Sequence, residues 1–388
     1  MGNISYFFLS KGKINELKGQ AVVAHTSSAA ESYVQKVKEI NARNDWKNKG
    51  KGAMFMGMHV PNGEGDPAMP VVTGIAAWEN NTLAYTLNTG AAAGVYWKNP
   101  STPLEKDGYI LVKQETNLFG LDAHGGKMAT SVAESPIERH IAVISPEDNS
   151  ISVCTEGDCF DRNPRWSRAE KDVLLYDSCG QGFDEKMQFV KFGPRSVYRM
   201  HIRTGELEEI LVGGKMEYLQ PFEAADGTLY CLRHPYEGRG KSEMTPLDVL
   251  FLPVRVLKGL FGWLNFFTQR YAGESLKSGG ANPAKTKPKS EEELFVEGNL
   301  LEAEKNMKDN LSRGEKHAGY VPQAWELVAR GADGGFTVLK KGVLDYSVQP
   351  DGAIVYSNGK HLVRLDGKEE TLLGAAHLGV KPVALASE

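Results

Sequence analysis

One hairpin pattern returns along this chain, and it restricts the fold more than any other feature. The apolar period is two, the signature of half-buried strands. A first hairpin type reads "HIAVISPEDNSISVC" at 140–154, "PRWSRAEKDVLLYD" at 164–177, "QPFEAADGTLYCLR" at 220–233 and "LDYSVQPDGAIVYS" at 344–357. A looser copy is "TGIAAWENNTLAYTL" at 73–87. Asp-Gly at 226–227 and 351–352 is a strong turn signal between two such strands. A second type alternates with the first, at 4–19, 118–131, 196–211, 325–342 and 360–374, with Gly in the turn and a more charged outgoing strand. Two hairpins make a four-stranded unit, and the unit repeats. Repetition around a ring is how small sheets protect their edges.

The residues at 159–211 carry a family resemblance. "NPRWS", "DVLLYDS" and "SVYRMHIRTGELEEIL" resemble a blade of the TolB-type six-bladed propellers, which also occur beside the catalytic domains of prolyl oligopeptidases and are built of WD40-like repeats. Pro164, Trp166 and Ser167 match the family pattern, while Arg168–Lys171 stand where it has Pro-Asp-Gly; the copy at Gln349–Ser357 keeps Pro-Asp-Gly at 350–352 but lacks the Trp. The resemblance spans roughly 60–375. It implies an all-β, six-bladed propeller and says nothing of function, because this fold carries many unrelated ones. Pro164 is expected to start the strand nearest the axis and Trp166 to fill the space between two blades. The hairpin at 4–19 and the lone strand at 377–387 are expected to complete one blade together, so that 1–237 and 321–388 form the ring.

Two segments break the β rhythm. At 27–47, Ser28 and Glu31 have capping-box spacing and Tyr33, Val37 and Ile40 recur at helical intervals, which predicts a surface helix. The second, 238–320, separates two hairpins of one blade and reads as a helical insertion. Thr245, Pro246 and Asp248 suit a helix start, 275–290 is polar and linker-like, and Ser290 with Glu293 predicts a second helix over 290–313.

Within the insertion, 247–267 is 21 residues long and mostly apolar. Arg255 and Lys258 lie near its centre, each costing about 3 kcal/mol in a bilayer core. A single crossing would also put the halves of one blade on opposite sides of the membrane. Three readings stay open: packing on the ring, a protein interface, or an in-plane membrane helix with Arg255 and Lys258 reaching toward headgroups. The residues concerned are Leu250, Phe251, Arg255, Lys258, Phe261, Trp263 and Phe267.

Catalytic patterns are sparse. The sequence has no Gly-x-Ser-x-Gly elbow, Walker A loop, His-Glu-x-x-His pair or EF-hand loop. Cys154 and Cys159 stand near Glu156, Asp158 and Asp161, but zinc sites usually show closer Cys pairs, so loop thiols are the expected reading and no metal or cofactor is expected. Cys179 and Cys231 read as interior strand positions, His124 and His234 as strand-end or turn residues. Propellers bind ligands at the channel mouth, where loops feed the innermost strands. Arg139, His140, Asp161, Arg162, Arg165 and Glu223 are candidates for that mouth, holding an anionic or peptide ligand or pairing with one another.

A net charge of −4 gives no basic face, which argues against a nucleic-acid partner. Four Cys in 388 residues suit a reducing, cytoplasmic setting. The first residues, with apolar Tyr6–Leu9 and no preceding basic run, do not read as a signal peptide. The expectation is a non-catalytic propeller scaffold for a protein partner, using mouth loops or the 241–318 insertion. A metal-assisted hydrolase or lactonase at the channel mouth, and a propeller resting on a membrane through 247–267, are the alternatives.

Overall fold

The computed structural model describes residues 4–19, 21–48, 70–89, 92–102, 105–133, 135, 137–183, 189–236, 293–296, 299–331 and 334–386. The expected alternation of hairpins resolves into six antiparallel four-stranded sheets. The chain starts with β1 (Ile4–Ser10), β2 (Lys13–Lys18) and β3 (Ala21–His25), followed by helix α1 (Ser28–Asn48). Blade II is β4 (Val71–Trp78), β5 (Thr82–Asn88), β6 (Ala92–Lys98) and β7 (Gly108–Gln114). Blade III is β8 (Asn117–His124), β9 (Lys127–Ala133), β10 (Arg139–Ser145) and β11 (Ser150–Val153).

Blade IV is β12 (Arg162–Trp166), β13 (Val173–Ser178), β16 (Ser196–His201) and β17 (Leu207–Leu211), with a side hairpin of β14 (Gln181–Phe183) and β15 (Phe189–Phe192) between its halves. Blade V is β18 (Met216–Glu223), β19 (Leu229–Pro235), β22 (Glu326–Arg330) and β23 (Phe336–Lys341). Between its halves come the hairpin β20 (Glu293–Val296) and β21 (Asn299–Glu302), then α2 (Ala303–Ser312). Blade VI is β24 (Asp345–Val348), β25 (Ile354–Ser357), β26 (His361–Asp366) and β27 (Glu369–Ala375). The last strand, β28 (Val380–Ala386), pairs with β1 and becomes the innermost strand of blade I. The ring is a six-bladed propeller closed by both ends of the described chain.

The core follows from this layout. Each blade buries its faces against its two neighbours, so the apolar side chains collect in six interblade clusters. Trp166 lies between blades III and IV with Ala129, Ile141, Leu174, Tyr176 and Met200. Gly74 of β4 meets the backbone of Gly120 of β8 so closely that a Cβ there would lie 2.4 Å from a carbonyl carbon.

Several expectations need correcting. Residues 140–154 share the first hairpin type, in which Pro164 is expected to open an innermost strand, yet they form the outer half of their blade, and 118–131 of the second type supply its innermost strand, β8. The turn chemistry of the two hairpins is alike, but β11 is largely exposed, as an outermost strand must be. The helix expected over 290–313 begins only at Ala303. Leu294–Val296 and Leu300–Leu301 flank Glu297–Gly298 in sequence and pair as strands, so Glu293 opens a strand rather than a helix. The cap of α1 is Ser27 and not Ser28: the Ala30 N–H donates to Ser27 Oγ at 3.1 Å, while Ser28 Oγ accepts from the Asp107 N–H. Residues 247–267 lie outside the described residues, and among those described no helix is long and apolar enough to cross a membrane.

Candidate functional site at the propeller mouth

All six innermost strands start at the same end of the ring, here called the mouth. The second strand of each blade ends there and the third begins there. Five innermost strands slip register near this end. In three of them the bulge residue has positive φ and precedes a proline: Asn163–Pro164, Gln220–Pro221 and Lys381–Pro382. Proline has no N–H to give a ladder, so it sits where the ladder is already broken.

Two of these bulges aim polar side chains at the axis. Lys381 Nζ of blade I donates to Asn163 Oδ1 of blade IV at 2.6 Å, spanning the ring from one side to the other. Asn163 Nδ2 donates to Asp177 Oδ1 at 2.7 Å, and the Gln220 N–H donates to the same oxygen at 2.9 Å. The Lys381 ammonium also lies 3.7 Å from Asp345 Oδ2, whose carboxylate accepts the Lys381 N–H. Asp177 and Asp345 are buried. Arg162 Nε faces Asp177 Oδ2 at 3.6 Å. The middle of the mouth is therefore crossed by charges that neutralise one another.

Beside this hub, Glu217 lies 3.3 Å from His234 Nδ1, whose ring stacks on Trp325. Burial pushes the Glu217 carboxyl up against the opposing pull of Arg195.

A second cluster lies where blades III and IV meet. The loop leaving β11 folds back along the start of β10. The Arg139 N–H donates to the Cys159 carbonyl, the Asp161 N–H to the Arg139 carbonyl, and the Phe160 N–H to the Cys179 carbonyl. The Arg139 guanidinium lies 3.6 Å from the centre of the Phe119 ring and 4.5 Å from that of Phe160. This clamp brings Cys159 Sγ to 3.7 Å from His140 Nδ1 and 3.4 Å from Asp161 Oδ2. Thr155 Oγ1 donates to Asp161 Oδ2, and His140 Nε2 lies 3.2 Å from Glu138 Oε1. Burial, reinforced by the Asp161 charge, pushes the Cys159 thiol up to about 12. Burial also raises Asp161.

The six candidate mouth residues divide between the two ends of the ring. Asp161 and Arg162 stand at the start of an innermost strand, and Arg139 and His140 start the third strand of blade III. Arg165 instead reaches toward the far end, where it and Arg168 hold Asp122 at 3.3 and 3.2 Å, with the Trp166 N–H donating to the same carboxylate at 2.8 Å. Glu223 ends β18 on that far side, where it accepts from Ser167 Oγ and lies 3.9 Å from Arg199. Sequence reasoning missed Asn163, Asp177, Gln220, Asp345 and Lys381. The X-Pro step shared by three innermost strands was the available signal.

No protein-family model and no curated protein matches the chain. Solved structures are similar to it in overall shape. TolB from Acinetobacter baumannii has 12% identity and a TM-score of 0.49, with 99% of this chain and 66% of that one covered. A protein from Lactobacillus plantarum has 8% identity and a TM-score of 0.43, with both chains covered in full. Oligogalacturonate lyase from Vibrio parahaemolyticus has 8% identity and a TM-score of 0.37, covering 75% of this chain and 62% of that one. The chain thus spans just under two thirds of the length of that TolB structure. The six sheets and their closure define the fold without these likenesses.

Proposed function

We propose that this propeller is a non-catalytic scaffold that binds a protein partner on its mouth face. One observation carries the reading: the large insertion leaves from and returns to that face. It leaves after Pro235 of β19, where Tyr236 Oη donates to the Phe192 carbonyl. It returns through α2, where Asn310 Nδ2 donates to the carbonyls of Gly319 and Val321 and Asn306 to that of Tyr320. Asn358 Nδ2 donates to the His317 carbonyl, tying this return leg to blade VI. The described residues on both flanks of the insertion, Tyr236 and α2, thus lie on the mouth face.

The charges at the axis support the same reading. A channel-mouth hydrolase would need His and carboxylates from several blades converging on an open centre. Here the axis is occupied by Lys381 and its partners.

The test is capture of partners by the full chain and by a variant lacking 245–290, which keeps α2 and its contacts. Partners held by the full chain and lost by the variant are expected. Identical partner sets from the two, with both folded, would remove the insertion as the binding element.

A further inference from the structure

We infer that His140, Cys159 and Asp161 form a binding site for a zinc-class divalent cation. Their ligand atoms all lie within 4.8 Å of one another. Zinc binds thiolate at about 2.3 Å and imidazole or carboxylate at about 2.0–2.2 Å, so at tetrahedral angles the edges of the site are about 3.5 Å long. Two of these edges measure 3.7 Å, from sulfur to nitrogen, and 3.4 Å, from sulfur to oxygen.

The surroundings suit a metal. His140 presents Nδ1 to the cluster and Nε2 to the Glu138 carboxylate, the arrangement that fixes a metal-binding imidazole in its tautomer. Asp161 is fixed by Thr155. The backbone carrying Cys159 and Asp161 is pinned on one side to Arg139 and on the other to Cys179. One thiolate, one carboxylate and one neutral imidazole balance a dication. The thiolate selects zinc over magnesium or calcium. Three protein ligands leave the fourth position to water. Cys154, the partner suggested by sequence spacing, takes no part; its thiol faces the Ser152 carbonyl.

The experiment uses the full chain, reduced and freed of metal, titrated with Zn2+ and in parallel with Co2+. One equivalent of either metal is expected to bind, and the Co2+ form should show a thiolate charge-transfer band and tetrahedral d–d bands. C159S should abolish that band and weaken Zn2+ binding at least about 100-fold; H140Q and D161N should also weaken it strongly. E138Q, which keeps all three ligands, should cost about 10- to 100-fold. C154S should bind as the unaltered protein does. Absence of stoichiometric Zn2+ binding, or a C159S protein that binds as tightly as the parent, would overturn the site. Should C159S fail to fold, alkylation of the unaltered protein decides: bound Zn2+ must protect Cys159, and equal modification with and without Zn2+ overturns the inference.

Discussion

Lys381 Nζ lies 2.6 Å from Asn163 Oδ1, and these two residues belong to blades on opposite sides of the ring. The same ammonium stands 3.7 Å from the Asp345 carboxylate, with both side chains largely shielded from water. Removing one member of a buried ion pair leaves the other uncompensated and costs about 3–5 kcal/mol. Lys381→Met should therefore destabilise the protein by about 3 kcal/mol in urea unfolding, and the added change Asp345→Asn should recover much of the loss. Equal stability of Lys381→Met and the parent would mean that the cross-axis contact contributes nothing.

The blades were legible in the sequence because strand alternation and Asp-Gly turns are local signals. Inner and outer hairpins were harder to separate. The turn at 145–150 looks like that of an inner pair, and only the packing of β8 against the innermost strands β4 and β12 of the two adjacent blades reveals the true order. The hub was partly legible: Pro164 and Pro382 follow Asn163 and Lys381, and Pro221 follows Gln220, whose N–H joins the same hub, but Lys381 meets Asn163 only once the ring closes. The metal cluster was hidden by sequence distance. Cys159 and Asp161 drew attention beside Cys154, whereas their structural partner is His140, on the other side of the β10–β11 hairpin.

Asp122 supplies the pH test. Burial pushes its carboxyl up, but Arg168, Arg165 and the Trp166 N–H outweigh that and hold it below the ordinary carboxylate range. An acid whose folded value is depressed contributes stability that is present above its unfolded value, near 3.9, and is lost as pH falls through the folded value. Asp122→Asn should cost about 3 kcal/mol at pH 7. The gap between parent and variant should narrow below about pH 4, as the parent loses the contribution the variant lacks. A gap that stays constant from pH 7 to pH 3 would show that the carboxylate charge is not what matters.

Trp166 is 3% exposed and fills the seam between blades III and IV. Its indole N–H has no hydrogen-bond partner among the described residues, so its value lies in volume rather than polarity. Trp166→Ala should cost about 3–5 kcal/mol. Trp166→Phe, which keeps most of the ring and leaves no partner stranded, should cost far less, about 1.5 kcal/mol. Thermal and urea unfolding of both variants gives the comparison; equal losses would point to an unseen role for the N–H.

Closure of the ring rests on β28. It supplies Val383 and Leu385 to the seam between blades I and II, pairs along β1, and carries Lys381 to the axis. The approach to it is also fixed, since Ser10 Oγ donates to the His377 carbonyl and the Leu378 N–H to that of Gly359. Deleting 377–388 would remove an innermost strand and expose the buried faces of Phe7, Phe8 and Leu9 together. Folded domains have only about 5–15 kcal/mol to lose, so the truncated chain should show no cooperative transition and should bind a hydrophobic dye. Leu385→Ala, which keeps the strand and deletes one side chain, should unfold cooperatively with a loss of about 2–4 kcal/mol. A truncated chain that melts cooperatively at the parent's temperature would show that five complete blades and a three-stranded remnant suffice.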